Sequence, residues 1–350
     1  MNDSAALQRP DPVATANIYC DRLQDEFLYR VIFPFWQELS KSDPRDSPYL
    51  WFVRYPKCGE HVKIRIHCED FNKLFLRTKL QEMTSKFFSA LPPAEPLEPR
   101  RDGKGVPPID AEDYAETDYP DRTLLWTGYR RSHVSLGGKP FLDDDLYAVL
   151  LTSCLGRGAA MVLAALKPGP EGQYSHSLRQ TILLRLLIGG LASLGFPSEK
   201  CADYLAYHRD WLIRFTLLTT QAGIEKSAGL LAHFDQRAEQ MGASLDRLKS
   251  TAFGEWTGEA HDRKTESLDD RWRSSLADLL GYVSLFRENP DYRLDPFASD
   301  PVFSPVFKVF HGVANQLGLG MLNEALAHHL LFRATGIDAV GHLANEFAVD

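Results

Sequence analysis

Four nitrogen-bearing side chains alternate along one short run, His61-Val62-Lys63-Ile64-Arg65-Ile66-His67-Cys68. Side chains alternate across a strand, so His61, Lys63, Arg65 and His67 share one face and the apolar residues share the other. The preceding run, Trp51-Phe52-Val53-Arg54-Tyr55, reads as its hairpin partner, and a half-exposed hairpin with solvated charges is the plain expectation. A second group is His311-Gly312-Val313-Ala314-Asn315-Gln316-Leu317. His311 and Asn315 lie four apart and share one helix face, with Gln316 beside them. A histidine, whose ordinary pKa is about 6.5, can pass a proton in either direction near neutrality. The plainer role for such a pair is that of hydrogen-bonded core polar groups. Asp210, in Tyr207-His208-Arg209-Asp210-Trp211-Leu212, could accept a proton, orient a cation or form a helix salt bridge. The acidic run Asp143-Asp144-Asp145, after Leu136-Gly137-Gly138, complements a helix N-terminus.

Other chemistries lack their signatures. There is no G-x-x-x-x-G-K-[ST], no G-x-S-x-G and no H-E-x-x-H. His328 and His329 are adjacent and a helix splays them about 100° apart. No carboxylate partner on their helix is expected, so they do not read as a zinc site. Gly189-Gly190, with no strand before it, reads as close helix packing rather than a dinucleotide loop. The net charge of −8 argues against a broad nucleic-acid footprint. The five cysteines are odd in number, widely spread and form no C-x-x-C pair. With no signal-peptide pattern at the start, they read as thiols in a reducing cytoplasm. The apolar stretches 146–166 and 182–194 carry Arg157 and Arg185 and read as buried helices rather than membrane spans.

The elements that must position these residues follow from periodicity. Ile18, Leu23, Phe27, Val31 and Phe35 recur at close to helical spacing, which predicts a helix over 16–39. The two strands 49–55 and 61–68 follow, then a helix from Asp70 to about Leu91. Residues 92–122 are rich in proline, glycine and charge and read as a long surface loop that is functional or disordered. A strand is expected over 123–129. From there the chain is mostly helical, at about 143–166, 176–194, 198–219, 224–250, 266–288 and 319–335. The class is α+β, with an N-terminal helix and antiparallel strands ahead of a mainly helical remainder. One domain is expected, with an N-terminal region over 1–91, the loop, and a helical region over 123–350.

Taken in order, the motifs resemble the C-terminal elimination domain of lanthipeptide dehydratases and its stand-alone thiopeptide relatives. That family has a strand pattern like R-Y…H-x-R-L-R, a middle segment like E-x-x-R-Y-G-G and a late segment like H-M-x-x-N-R-L. Arg54-Tyr55…His61-Val62-Lys63-Ile64-Arg65, then 132–138, then 311–317 look like these stretches, and 207–212 resembles a family helix. The resemblance runs from about residue 17 to 335. It departs at the positions linked to expelling glutamate: the middle Arg falls on Ser135, the Glu on Ser132, the first strand Arg on Lys63 and the last Arg on Gln316. Neither Ser nor Lys reproduces the bidentate fork with which Arg grips a carboxylate.

The stand-alone relatives lacking those residues are the thiopeptide pyridine synthases. The resemblance therefore implies a formal [4+2] aza-cycloaddition between two dehydroalanines of a modified precursor peptide. Water and the leader peptide are then lost, and the macrocycle closes. It implies no metal or redox cofactor. His311 would shuttle protons, with Asn315 orienting it or the substrate, Tyr129 and Ser135 donating hydrogen bonds, and Asp210 orienting a cation or accepting a proton. Lys63 and Arg65 would bind carbonyls or developing negative charge, with His61, Arg54 and Gln316 among the substrate-binding residues. The partners implied are the precursor with its leader, held by the hairpin region, and a second copy of the chain; nucleic acid and membrane are not. Two other readings stand beside this one: a glutamate-elimination subunit working with a separate glutamylating partner, and a non-catalytic scaffold that binds leader peptide.

Overall fold

The computed structural model describes residues 13–20, 23–42, 50–55, 60–67, 70–93, 121–127, 145–165, 175–217, 221–254, 268–286, 300 and 302–337. The chain divides into two compact units, Met1–Ser135 with Leu163–Gln173 and Leu136–Val162 with Tyr174–Asp350.

The first unit holds β1 (Val13–Tyr19), α1 (Gln24–Phe27), a π-helical turn (Leu28–Ile32), α2 (Phe33–Ser42), β2 (Leu50–Tyr55), β3 (His61–His67), α3 (Asp70–Ser89) and β4 (Thr123–Thr127). The strands form an antiparallel sheet in the order β2-β3-β1-β4. This corrects the expectation of a helix from residue 16. The backbone groups of β1 are claimed by ladders on both sides, and Ala14, Ala16 and Ile18 alternate into the core. The apparent helical period joined one strand residue, Ile18, to the true helical series from Leu23 onward. Pro34, which has no N–H to give, follows the π-helical turn.

Register places Ala16 opposite Ile64 and Phe52 opposite Ile64 on the apolar face. The opposite face sets Thr15, Asn17 and Tyr19 against Arg65, Lys63 and His61. The expectation of a solvated face here is corrected. His61, Lys63 and Arg65 are all buried, packed among aromatic rings of β1 and β2. Aromatic rings receive their cations: the Arg65 guanidinium lies 4.3 Å from the Trp51 ring centre and the Lys63 ammonium 5.3 Å from that of Tyr55. His61 sits between Tyr19 and Tyr55, at 4.7 and 5.4 Å.

The second unit is helical: α4 (Asp145–Ala165), α5 (His176–Ser193), α6 (Ser198–Leu217), α7 (Gln221–Gly254), α8 (Leu268–Ser284), α9 (Phe303–Gln316) and α10 (Met321–Thr335). Six of these fall where periodicity put them, and α9 is an addition to the runs expected. The α+β class holds. Residues 146–165 of α4 are long and apolar enough to cross a membrane, but 67% of that stretch is buried inside the fold, as befits a core helix. Ser175 caps α5 by accepting a hydrogen bond from the Leu178 N–H. At the end of α9, Gly318 adopts φ 71°, its N–H donates to the Asn315 carbonyl and the Leu319 N–H donates to that of Ala314. This left-handed stop turns the chain sharply into α10.

Gly190 bears out the packing reading of the Gly-Gly pair. A Cβ there would lie 2.6 Å from Phe310 and 2.8 Å from Trp272, both fully buried rings. Gly281 of α8 has nothing within 4 Å of its Cβ position. Gly190→Ala is therefore expected to lower unfolding free energy by about 1–3 kcal/mol through overpacking. Gly281→Ala should raise it by up to about 1 kcal/mol through helix propensity. Urea unfolding of both variants checks the contrast.

Candidate functional site

The sharp α9–α10 turn sets two polar residues together. Glu324, on the first turn of α10, is 1% exposed, and its Oε2 accepts a hydrogen bond from His311 Nδ1 at 2.8 Å. Its Oε1 lies 3.0 Å from Nε2 of His208 on α6. One turn before His208, the Tyr204 hydroxyl is hydrogen-bonded to His208 Nδ1 at 2.8 Å. One turn after Glu324, His328 donates from Nδ1 to the Glu324 backbone carbonyl at 2.9 Å. The His328 and His208 rings are 3.8 Å apart, and Phe307 of α9 packs 4.2 Å from His208 and stacks on His311 at 5.5 Å. Tyr204, His208, Glu324 and His328 have almost no solvent contact, whereas the His311 side chain is 27% exposed. The group is thus a buried chain of polar atoms with one end at the surface.

Electrostatics differentiates the members. Burial disfavours charge on Glu324, but His311 and His208 overcome it and hold the carboxyl well below its usual range. Burial also opposes charge on His311, and the Glu324 carboxylate, through charge and hydrogen bond, more than reverses this and raises its pKa. Burial dominates at His208, whose pKa is lowered despite Glu324, and at His328, which is pushed down to about 3. The cluster therefore favours an ionised carboxylate, the charged form of His311 and neutral forms of the two other imidazoles.

The other residues singled out in the sequence lie elsewhere. Asp210 accepts a hydrogen bond from Arg209 Nε at 2.6 Å, the helix ion pair that was one of its expected roles. Arg209 also approaches His329 Nδ1 at 3.3 Å, and Asp235 pairs with His329 and Arg333 at 3.2 and 3.1 Å. That network uses the neighbours of His208 and His328 on another side of the same two helices. Gln316 is fully buried and donates to the Leu155 carbonyl of α4 at 3.3 Å. Asn315 is partly buried on α9. In the first unit Arg54 pairs with Asp25 of α1 at 2.7 Å, and His61, Lys63 and Arg65 occupy the buried sheet face. Tyr129, Ser135 and the whole middle motif lie outside the described residues, as does most of the loop 92–122.

Sequence reasoning missed Glu324, and with it Tyr204, His208 and His328. The expectation that His328 has no carboxylate on its helix is corrected: Glu324 is one turn back on the same face. The spacings Tyr204–His208 and Glu324–His328, each of four, were the available signal.

The buried neutral histidines give a pH prediction. An unfolded histidine binds a proton near pH 6.5, whereas folded His328 resists until about 3. The unfolded state therefore holds more protons between those values, and stability falls as pH drops from 6.5 towards 3. His328→Leu should remove one proton's worth of that slope, about 1.4 kcal/mol per pH unit. Urea titrations between pH 6.5 and 5 measure it.

The family model of the lantibiotic biosynthesis dehydratase C-terminal domain matches residues 14–335. Among solved structures, the pyridine synthase TbtD from thiomuracin biosynthesis is similar at a TM-score of 0.62 and 14% identity, covering 93% of this chain and 98% of its own. TsrL is similar at a TM-score of 0.57 and 15% identity, covering 92% of this chain and 93% of its own. At such identities the likeness is one of fold. No curated protein matches the sequence. Matched by the family model across nearly its whole length, the chain belongs to the lantibiotic dehydratase C-terminal domain family.

Proposed function

We propose that this chain is a pyridine synthase of thiopeptide biosynthesis, acting on a dehydroalanine-containing precursor peptide. The observation that carries the reading is the end-to-end match in fold with a chain described as a pyridine synthase, 98% of which is covered. Ser135, Lys63 and Gln316, at the positions that resemble those where the elimination domains carry Arg, support it against glutamate elimination.

His311 is the proton donor and acceptor in this reading. Among the described residues Glu324 alone bonds to its ring, through Nδ1, which leaves Nε2 for a substrate at the part-exposed end of the cluster. As imidazolium it gives a proton to the amide oxygen of one dehydroalanine unit, and as imidazole it takes the proton that the amide nitrogen gives up, which leaves the iminol tautomer that serves as azadiene. In each elimination that follows, of water and then of the leader amide, it takes a proton from the new six-membered ring and returns one to the leaving group. Glu324 is a positioning residue that holds the ring and stabilises its charged form. The rest of the rate comes from bringing two distant peptide units within reacting distance. The precursor, with its leader, is the partner; the inner-strand position of Lys63 and Arg65 makes them positioning groups of the sheet face rather than a free basic edge.

Two precursor peptides separate the readings by mass spectrometry. A peptide with two dehydroalanines should lose water and release its leader as an amide. A glutamylated peptide should come through unchanged; loss of glutamate from it would overturn the proposal in favour of an elimination subunit. His311→Ala should lower single-turnover rate by roughly 10²–10⁴-fold, far beyond any fall in the folded fraction that follows from taking a partner from Glu324. A folded variant with near-normal turnover would remove His311 from the chemistry.

A further inference from the structure

In the second unit Nε2 of His328 is buried without a hydrogen-bond partner, beside the buried pair of His208 Nε2 and Glu324 Oε1. Buried polar atoms are nearly always bonded, so an orphan nitrogen among these three atoms calls for an explanation. They all lie within 4.8 Å of one another. His208 Nε2 and Glu324 Oε1 are 3.0 Å apart. Atoms that share a tetrahedral ion at bond lengths of about 2.0–2.1 Å are themselves roughly 3.3 Å apart, inside the range seen here.

We infer that His208, Glu324 and His328 form a site for a divalent transition-metal ion of the zinc class. Two imidazoles and one carboxylate suit that class, whereas calcium and magnesium take oxygen ligands. The surroundings are those of metal ligands. Each ligating ring has its other nitrogen occupied, His208 Nδ1 by the Tyr204 hydroxyl at 2.8 Å and His328 Nδ1 by the Glu324 carbonyl at 2.9 Å. This fixes both rings with Nε2 turned inward, as outer-shell bonds do around a bound ion. The second oxygen of Glu324 is steadied by His311. Glu324 and His328 come from one face of α10 and His208 from α6, so the ion would pin these helices together. The site goes beyond the pyridine-forming reading and stands whichever peptide reaction the chain performs.

Cobalt(II) is the probe. The full-length chain is stripped with a chelator, dialysed and titrated with Co²⁺ while visible absorption and thermal melting are followed. One equivalent of Co²⁺ should develop ligand-field bands, raise the melting temperature and be displaced by Zn²⁺. His328→Ala and Glu324→Gln should lose the bands, while His329→Ala, on another side of α10, should keep them. No Co²⁺ uptake by the wild-type chain overturns the proposal. So does an unchanged spectrum in either ligand variant, or intense near-ultraviolet thiolate bands that assign the ion to cysteine. If the ligand variants fail to fold, X-ray absorption of the zinc-loaded wild-type chain decides. Two imidazoles with oxygen support the site, and sulfur or oxygen alone refutes it.

Discussion

A carboxylate sealed from water stays ionised only if hydrogen bonds and positive charge answer it, since its uncompensated burial costs several kcal/mol. Glu324 is such a carboxylate, and the arrangement of three helices follows from supplying its partners. His311 reaches it because α9 ends in a left-handed glycine and doubles back into α10. His208 reaches it from α6, held in turn by Tyr204. Phe307 packs against both the His208 and the His311 rings. Removing any one partner leaves the others with an unmet charge, which makes this the most demanding point in the second unit.

The first unit solves a related problem differently. Its sheet buries Lys63 and Arg65 on a face shared with Thr15 and Asn17, and places aromatic rings of β2 beneath the cations. An aromatic face attracts a cation but satisfies none of its N–H donors, so further partners are part of the arrangement. Arg54, from the other face, is spent on anchoring α1 through Asp25. The two units thus keep distinct chemistry: cations on aromatic platforms in one, a carboxylate among imidazoles in the other.

Much of the fold was legible because the helices of the second unit are long and strongly periodic, and periodicity is what sequence displays best. β1 was not legible, since Ile18 fell by chance into the helical series of Phe27 and Val31 and nothing local reveals that β3 and β4 flank the strand. The burial of Lys63 and Arg65 was hidden for the same reason: alternation reports two faces, not whether the second is covered. At the site, His311 stood out through its motif and its spacing of four from Asn315. Glu324 could not be linked to it in advance, because their contact is created by the turn at Gly318 and not by helical spacing. Glu324 and His328, by contrast, are four apart on one helix, and attention to carboxylates before a histidine would have paired them. Asp210 drew notice by its family-like segment, yet the neighbouring Arg209 claims it.

The account rests on one ionised carboxylate sorting the histidines around it into a charged member and neutral ones. Histidine-selective ¹⁵N NMR of the chelator-treated chain, titrated between pH 5 and 8 and assigned with His311→Asn and His328→Leu, observes that sorting directly. His311 should titrate above the ordinary value of about 6.5 and fall to or below it in Glu324→Gln, while His328 stays neutral throughout. A His311 that titrates at or below the ordinary value with Glu324 in place, or a His328 that becomes charged near pH 6, would contradict the account.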